Sequence, residues 1–304
     1  MNITLRQLSY FLAVAETGSI SGAAANLGIS QSAITESLRA LEGQTAATLF
    51  TRHARGVTLT YQGHLFLRHT RHILSAVADA RRAINSRPEQ VSGTLHLGVT
   101  SLVAGYMLAD LLARFRRVFP NVRVQVFEEE RGYIEHLLVN GELDVALMLI
   151  SNLQNQQALD CEAVVRSPNR VWLPPEHALL QRERITLQDI AGEPIIQLSI
   201  DEMAQAARQW WRQPGRAPQV EMTTSSVEAV RSLVATGAGV AILPDIIFRP
   251  WSLEGDRIEA RQVEGLTATV DIGLAWRKGS PLGEPVRIFR ELAREHRLSR
   301  GQSA

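Results

Sequence analysis

Hydrophobic residues near the N-terminus recur every three or four positions, which is the spacing of amphipathic helices. This spacing predicts three successive helices, from about Leu5 to Thr17, from Ile20 to Leu27 and from Gln31 to Glu42. Gly18 and Gly28 separate them, because glycine readily adopts the left-handed conformation that ends a helix. Ser30 precedes the third helix and is a candidate N-cap. The N-terminal part is therefore predicted to be a group of short packed helices.

The third predicted helix has a polar exposed side. Its periodicity turns inward the residues Ala33, Ile34, Leu38 and Leu41. It leaves outside the polar residues Gln31, Ser32, Thr35, Glu36 and Arg39. A helix, a glycine turn and a capped second helix form the helix-turn-helix arrangement, whose second helix lies in the major groove of DNA. Ser30 and these five polar residues are therefore candidate DNA contacts, although a plain three-helix subdomain has the same spacing.

The segment after the third helix predicts a β-hairpin. Val57 and Leu59 alternate with polar residues, and Gly56 stands at the turn. Arg52 and Arg55 would lie on or beside this hairpin, where a basic wing is suited to phosphates that flank the groove. Both arginines therefore join the candidate DNA-binding residues.

A long stretch without proline, from Tyr61 to about Arg87, predicts a single helix. An apolar band runs along it and consists of Leu65, Leu67, His69, Ile73, Leu74, Val77, Ala80 and Ile84. One helix cannot bury such a band by itself, so pairing with a second copy of the chain is expected. Packing within its own domain is the alternative. Pro88 and the polar residues after it predict a hinge.

From Gly93 onward, strand and helix patterns alternate, as in an α/β fold whose helices cover a sheet. The first unit contains predicted strands at Leu95–Val99 and Val122–Phe127, with a helix between them that ends at Phe119. A second unit follows, with strand segments E-P-I-I-Q-L-S and Q-V-E-M-T-T. The last segment, which begins V-D-I-G-L-A-W, is expected to return to the first unit.

The charges are unevenly distributed along the chain. Residues 1–87 contain nine Arg and no Lys against four acidic residues, whereas residues 88–304 hold 23 basic and 27 acidic groups. The net charge of +1 therefore combines a basic N-terminal part with an acidic remainder. Such a distribution favours contact with a polyanion through the N-terminal part alone.

Composition indicates an ordinary globular protein, with 45% hydrophobic and 21% charged residues. No apolar run approaches the roughly 20 residues that span a bilayer, and the N-terminal residues lack the pattern of a secretion signal. The single cysteine, Cys161, cannot form an internal disulfide, which fits a reducing compartment. We therefore expect a cytoplasmic protein that does not associate with membranes.

These motifs together resemble the LysR-type transcriptional regulators. The N-terminal matches are L-R-Q-L-x-Y-F from Leu5, A-E-T-G-S-I from Ala15, A-A-x-x-L-x-I-S-Q-S-A-I-T ending at Thr35, L-R-A-L-E from Leu38, L-F-T-R from Leu49 and L-T-x-x-G from Leu59. The C-terminal matches are G-E-L-D-V-A-L from Gly141 and G-A-G-V-A-I-L-P from Gly237. The resemblance therefore covers nearly the whole chain.

The resemblance implies a winged helix-turn-helix over residues 1–60 and a linker helix over 61–88 that joins two DNA-binding domains. It also implies a two-lobed α/β effector domain that is similar to type 2 periplasmic binding proteins. Its first lobe is expected to comprise residues 92–165 and 267–304, and its second lobe residues 166–266. A small-molecule effector would bind between the lobes.

The chain departs from the family pattern at four positions. Ser32, Thr45 and Ala46 stand where members usually have Pro, Leu and Gly. These three changes are not expected to alter the fold. Glu36 takes a position that is frequently basic or polar, so we expect it to face a cytosine amino group or to weaken non-specific binding.

Hydroxyl side chains occur where predicted strands give way to helices. Thr100 and Ser101 do so in the first α/β unit, and Ser225 and Ser226 in the second. Free N–H groups at a helix start favour an anion, although Ser and Thr are also common as simple caps. Within the effector domain that the resemblance implies, both pairs are candidate effector contacts. Further candidates at the ends of other strands are Glu129, Arg131 and Ser199.

No catalytic constellation stands out in the sequence. There is no C-x-x-C or H-E-x-x-H motif, and the G-A-G segment at Gly237 lacks the further glycine of a dinucleotide loop. The acidic run Glu128–Glu130 could hold a metal, but a charge run at a strand end is usually solvated. We therefore expect no catalytic residue, no metal and no cofactor.

The sequence thus predicts a regulator that binds double-stranded DNA at an interrupted palindrome, as a dimer or homotetramer, under the control of a small effector. An organic acid is the candidate effector class, and RNA polymerase is a further candidate partner. A solute-binding protein of a transporter and an enzyme on the same two-lobed fold are the alternatives. The basic helix-turn-helix and the lack of an export signal argue against the first, and measurable turnover would be needed to favour the second.

Overall fold

The computed structural model describes residues 3–53, 56–85, 91–200, 203–211 and 218–300. These described residues form two compact units. The first unit is drawn from Met1–Ser92, Phe115–Asn121 and Glu291–Ala304, and the second from Gly93–Arg114 and Val122–Arg290. No helix within the described ranges has the length and apolar character needed to cross a membrane.

The first unit contains short helices, a hairpin and one long helix. The helices are α1 (Leu5–Thr17), α2 (Ile20–Leu27), α3 (Gln31–Thr45) and α4 (Tyr61–Asn85). The hairpin pairs β1 (Phe50–His53) antiparallel with β2 (Gly56–Leu59). The predicted bounds of α1 and α2 are confirmed, whereas α3 continues past its predicted end at Glu42.

Local caps explain where the first helices begin and end. The hydroxyls of Thr4 and Ser19 accept backbone N–H bonds at the starts of α1 and α2. Gly18 and Gly28 end these helices in the left-handed conformation, with φ of 62° and 65°. Because both glycine stops are local, the sequence was sufficient to place these helix ends.

The core of the first unit is aromatic at its centre. The ring of Phe11 lies 5.1 Å from that of Phe50 and 5.0 Å from that of Phe66, so α1 packs on both the hairpin and α4. Ile34 of α3 is fully buried in the same core. The inward prediction for Ala33 is wrong, because this residue is exposed and borders an open groove between α1 and α3.

Helix α3 ends at an alanine with left-handed backbone. Ala46 has φ of +50°, and its N–H still donates to the carbonyl of Glu42. An L-residue in this conformation costs roughly 1 kcal/mol relative to glycine. The turn expected from the family pattern is therefore kept at Ala46, with some strain in place of the usual glycine.

The second unit contains two α/β lobes. Lobe 1 is built on the strands β3 (Gly93–Val99), β4 (Val122–Glu128), β5 (Val145–Leu149), β6 (Leu159–Leu173) and β11 (Thr269–Arg277), in the sheet order β6-β11-β5-β3-β4. The helices that follow strands of this lobe are α5 (Ser101–Val103), α6 (Ala109–Val118), α7 (Arg131–Asn140) and α11 (Glu284–Arg300), and the C-terminal parts of α6 and α11 fall in the first unit. A π-helical turn, Ala104–Leu108, joins α5 to α6.

Lobe 2 uses the far end of β6 as its central strand. Its other strands are β7 (Pro194–Leu198), β8 (Gln219–Thr224), β9 (Ala241–Pro244) and β10 (Glu259–Gln262). Its helices are α8 (Leu187–Ile190), α9 (Met203–Trp210) and α10 (Val227–Ala235). β9 and β10 flank β6 antiparallel, and β7 pairs parallel with β8. Backbone bonds of Ile196 and Pro194 to Val240 attach the β7–β8 pair beside β9.

Strand β6 crosses from one lobe to the other. Its residues from Leu159 to Pro168 pair with β11 of lobe 1, and those from Asn169 onward pair with β9 and β10 of lobe 2. The side-chain amide of Asn169 donates to the carbonyl of Ala268, at 2.8 Å, in the segment that returns to lobe 1. The chain passes between the lobes twice, through β6 and through the segment before β11. This hydrogen bond joins the two crossings.

A second connection between the lobes joins the π-helical turn to α10. The hydroxyl of Tyr106 donates to Oε1 of Glu228 at 3.0 Å, and Arg231 also bonds Glu228. Although burial alone would raise the pKa of Glu228, the hydrogen bond and charge of Arg231 hold it below its ordinary value. We call Tyr106, Glu228 and Arg231 the interlobe cluster.

Arg231 anchors the interlobe cluster inside lobe 2. Its side chain is 2% exposed, one terminal nitrogen donates to the carbonyl of Ile247 at 3.0 Å, and its guanidinium lies 5.7 Å from the ring centre of Trp172. On the exposed side, the guanidinium of Arg249 lies 5.4 Å from the ring centre of Tyr106. Glu228 is therefore held in place from both lobes.

In the first unit, a buried carboxylate connects α1 to α4. Oε1 of Glu16 lies 3.6 Å from Nη2 of Arg71, and the Glu16 side chain is only 14% exposed. Burial raises the pKa of Glu16 to about 7, against the lowering effect of Arg71. The folded state therefore binds a proton here more tightly than the unfolded chain does.

This raised pKa makes stability depend on pH. The favourable contribution of protonated Glu16 is fully present below the ordinary glutamate pKa and is lost as the pH rises through about 7. Glu16→Gln should therefore stabilise the protein at pH 8 more than at pH 5, by about 3 kcal/mol at most. Urea unfolding of both proteins at the two pH values measures this difference. Exposed Glu36→Gln is the control, and an equal effect of Glu16→Gln at both pH values would contradict the prediction.

The interlobe cluster should contribute measurably to the stability of the second unit. Tyr106→Phe removes the hydroxyl that donates to Glu228 and keeps the ring. We expect the free energy of unfolding to fall by about 1 kcal/mol, the usual net value of one hydrogen bond. Tyr133→Phe, at a tyrosine that is 53% exposed, is the matched control. Equal unfolding free energies for the two variants in urea would show that the Tyr106 hydrogen bond does not stabilise the fold.

Candidate functional site

The polar face of α3 is accessible, as predicted from its periodicity. The side chains of Gln31, Ser32, Glu36 and Arg39 are exposed, and that of Thr35 is half-buried. The Thr35 hydroxyl donates to the carbonyl of Gln31 at 2.8 Å. The face therefore offers one long amide, one guanidinium, one carboxylate and short hydroxyls.

The N-terminus of α3 is held by Ser30. Its hydroxyl accepts the N–H of Ala33 at 3.2 Å and lies 3.0 Å from the hydroxyl of Ser32. The cap fixes the direction of the first turn, which is the part of a recognition helix that meets base edges. Ser30 is thus a positioning residue for the side chains beside it, and it is itself exposed.

The hairpin next to α3 carries an exposed arginine. Arg52 lies on β1, opposite Val57 of β2. Arg55, the second predicted wing residue, lies outside the described residues. On β2, Val57 donates its N–H to the carbonyl of Gly18 at 3.0 Å. A Cβ on Gly56 would lie only 2.4 Å from that same carbonyl oxygen, so this close approach requires glycine.

Sequence reasoning missed two residues that shape this surface. Oε1 of Glu42 accepts the N–H groups of Leu49 and Phe50, at 2.7 and 3.2 Å, and so ties α3 to the first wing strand. Arg6 is exposed on α1, in a groove of about 450 Å³ that α1 shares with α3. Their place in the L-R-A-L-E and L-R-Q-L segments was visible, but the partners of Glu42 and the groove beside Arg6 become apparent only in three dimensions.

In the second unit, most of the predicted effector residues lie where parallel strands end. Val99 and Glu128 stand opposite each other at the ends of β3 and β4, and Leu198 and Thr224 do so at the ends of β7 and β8. The predicted residues that come directly after these strand ends are Thr100, Ser101, Glu129, Ser199, Ser225 and Ser226. Ligands in open α/β sheets bind at such carboxyl ends. We call these two sets the lobe 1 edge and the lobe 2 edge.

The lobe 1 edge contains one unusual hydroxyl. Thr100 is fully buried, and within the described residues its Oγ1 has no hydrogen-bond partner. Ser101 is exposed and donates to Oε1 of Glu128 at 2.7 Å. Glu129 is exposed, and its N–H donates to the carbonyl of Val99. Thr100 therefore has unused hydrogen-bonding capacity at this edge.

Arg131 stands apart from the other predicted effector residues. It is 7% exposed, and its guanidinium bonds the buried carboxylate of Glu135. Glu135 in turn accepts the N–H groups of Gln154 and Asn155. This pair fixes the loop after β5 against α7, so the charge of Arg131 is already balanced inside lobe 1.

The lobe 2 edge presents three serines. The Ser226 hydroxyl caps α10 by accepting the N–H of Ala229 at 3.1 Å. Ser199 donates its N–H to the carbonyl of Thr224 at 2.9 Å, which holds the two strand ends side by side. Ser199, Ser225 and Ser226 are all exposed. The interlobe cluster brings the helix after this edge against the π-helical turn that follows the lobe 1 edge.

The acidic run Glu128–Glu130 forms no metal site in the described structure. Across the described residues, no group of three or more His, Cys, Asp or Glu side chains is arranged to hold a metal ion. Cys161 lies exposed on β6, and burial of its thiol together with the charge of Asp160 raises its pKa. A raised pKa disfavours the thiolate, which is the nucleophilic form.

Comparison with known proteins agrees with these features. A family model described as the bacterial regulatory helix-turn-helix of the lysR family matches residues 5–64, and one described as the LysR substrate binding domain matches residues 88–298. An HTH-type transcriptional regulator of Escherichia coli K12, YnfL, is 32% identical over 80% of this chain and 83% of its own length. A hydrogen peroxide-inducible genes activator of Pectobacterium carotovorum is 26% identical and covers 97% of each chain.

Among solved structures, the LysR family transcriptional regulator HinK of Pseudomonas aeruginosa is similar along nearly its whole length. It covers 97% of this chain and 98% of its own, with 25% identity and a TM-score of 0.64. The predicted fold class, a winged helix-turn-helix joined by a long helix to a two-lobed α/β effector domain, is confirmed. The prediction of a DNA-binding regulator, and not an enzyme, is likewise confirmed. The chain belongs to the LysR family of transcriptional regulators, which bind DNA through a helix-turn-helix and respond to a small-molecule effector.

Proposed function

We propose that this regulator reads an interrupted palindrome through α3 and contacts the flanking phosphates through its wing. The proposal rests on the exposed polar face of α3, whose N-terminus Ser30 caps, and on the exposed Arg52 of the neighbouring hairpin. Two α3 helices related by a twofold axis would enter successive major grooves, so the half-sites would be one helical turn or a multiple of it apart. Gln31, Ser32, Thr35, Glu36 and Arg39 are the proposed base-reading set.

A palindrome requires two DNA-binding domains, and α4 is the element proposed to join them. Ile73 of its apolar band is 44% exposed and Leu65 is 38% exposed, so part of the band is available to a second copy. Leu67 packs on the core of its own domain. Side chains of the band near Ile84 lie outside the described residues. A dimer through α4, or a homotetramer built from such dimers, is the proposed assembly, and RNA polymerase remains a candidate partner.

The proposed effector site lies between the lobe 1 edge and the lobe 2 edge. Support comes from the buried, unpartnered hydroxyl of Thr100 and from the serines of lobe 2 that follow matching strand ends. Arg131 is a weaker member of the proposed set, because its charge is balanced by Glu135. The proposed division of the chain is 1–60, 61–88, 92–165 with 267–304, and 166–266. A regulator that binds DNA would act in the cytoplasm, as predicted.

Sensing of peroxide by a cysteine is disfavoured for this chain. One relative is named for induction by hydrogen peroxide, and reaction with peroxide uses a cysteine thiolate. Cys161 is the single cysteine of the sequence, and its raised pKa disfavours the thiolate. Reversible binding of a small molecule at the two edges is therefore the better-supported mode of control.

The base-reading role of Gln31 can be separated from the phosphate role of Arg52. Gln31→Ala should lower the preference for the operator over random DNA by about 1–3 kcal/mol, the value of one good bidentate contact. Arg52→Ala should weaken binding to both DNAs and reduce the slope of log affinity against log salt by about 0.9. Fluorescence anisotropy on the footprinted operator and on a random duplex, at several salt concentrations, measures both effects.

Gln188→Ala is the matched control, because this exposed glutamine lies on α8, far along the chain from the DNA-binding domain. An unchanged ratio of operator to random-DNA affinity in Gln31→Ala would mean that α3 does not read bases through this residue.

The assembly role of α4 is tested by charge. The double variant Ile73→Asp/Val77→Asp places two carboxylates in the apolar band. It should separate the two DNA-binding domains and abolish high-affinity operator binding. Analytical ultracentrifugation and operator titration measure the two consequences. Arg68→Asp is the control, because successive residues turn by about 100° and Arg68 therefore lies on the opposite side of α4. A double variant that binds the operator normally would refute the linker interface.

A further inference from the structure

We propose, given the effector site proposed above, that the effector carries a positively charged group, such as an amine or a guanidinium. The prediction of an organic acid rested on free N–H groups at helix starts. The structure places a carboxylate in the first turn of α10 and three more along the lobe 1 edge, and these carboxylates decide the sign of the charge that fits.

The two longer helices that begin at the edges already have carboxylates of the chain at their N-termini. Glu130 is the N-cap residue of α7, and Glu228 lies in the first turn of α10. A carboxylate near a helix N-terminus satisfies the positive end of the helix dipole. The Glu130 side chain makes no cap bond to α7, so an anionic ligand there would meet its negative charge, whereas the charge of Glu228 at α10 is balanced by Arg231.

The acidic run adds further negative charge to the lobe 1 edge. Glu128, Glu129 and Glu130 are all exposed, and Glu128 accepts the hydroxyl of Ser101, one of the proposed effector contacts. An ammonium group at this place could bond the carboxylates directly and with favourable charge. Exposed carboxylates at a ligand edge thus favour a cationic partner.

The guanidinium groups nearby are already engaged. Arg131 is bonded to buried Glu135, and Arg231 is bonded to Glu228 and shielded in lobe 2. Arg249 lies over the ring of Tyr106. These positive charges are balanced by Glu135 and Glu228 or directed at an aromatic face, so the exposed acidic run dominates the charge at the lobe 1 edge.

A separate observation indicates that a ligand belongs here. Thr100 is 0% exposed, its Oγ1 has no partner among the described residues, and it lies between Ser101 and Val99, whose carbonyl accepts the N–H of Glu129. A hydroxyl oxygen can accept a hydrogen bond from an ammonium while the carboxylates supply the charge. The buried hydroxyl indicates a ligand, and the carboxylates indicate its charge.

The test uses probes that are matched in shape and opposite in charge. Putrescine is compared with succinate, benzylamine with benzoate, and L-arginine with L-glutamate, by thermal shift and calorimetry on the full chain. We expect at least one amine to bind, and its acid counterpart not to bind. Glu129→Gln should weaken that amine about tenfold. Glu176→Gln, at an exposed glutamate in a turn of lobe 2, should leave its affinity unchanged.

Each other outcome overturns a specific statement. Binding of an acid that Ser225→Ala weakens would keep the proposed site and refute the charge class. Binding of an amine that Glu129→Gln, Ser101→Ala and Ser225→Ala all leave unchanged would refute the proposed site together with the inference. A panel in which no amine binds would refute the charge class directly.

Discussion

Continuity of one strand constrains the whole effector domain. β6 supplies an edge strand to the sheet of lobe 1 and the central strand to the antiparallel sheet of lobe 2, so neither lobe is complete without it. The chain returns to lobe 1 next to the same point, where Asn169 bonds the carbonyl of Ala268. The lobe 1 edge and the lobe 2 edge, between which the effector site is proposed, are thus positioned relative to a single pair of crossings, and a change in their separation would turn about that pair.

The interlobe cluster is a second connection between the lobes and bears on the same separation. Tyr106 comes shortly after the lobe 1 edge and Glu228 shortly after the lobe 2 edge, so their hydrogen bond reports how close the two edges are. Tyr106 belongs to a π-helical turn, a feature that is common at functional sites. A ligand that changes the distance between the edges must therefore strengthen or break this bond, which couples occupancy to the state of the domain.

The sequence was sufficient to predict the features that depend on residues close together in the chain. The ends of α1 and α2 followed from Gly18 and Gly28, and the hydroxyls at the strand ends followed from strand-to-helix transitions. Longer-range features were not predictable: Tyr106 and Glu228 are brought together only by the fold, and the burial of Arg131 depends on Glu135 and a distant loop. The organic-acid prediction considered helix starts alone. Glu228 follows Ser226 by two residues in the sequence, whereas the acidic run comes beside Ser101 only once the sheet is formed.

The two hydrogen bonds that Glu42 accepts have a consequence for regulation. They join α3 to the first wing strand, while Val57 bonds the turn between α1 and α2, so helix and wing form one rigid body. If α3 and the wing keep one fixed arrangement, their base preference does not change when a distant ligand binds. In the proposed dimer, the variable left to the effector is then geometric, namely the spacing and angle at which the two copies of α3 meet the double helix. Control would consequently act on how far apart, and at what bend, the two half-sites are held.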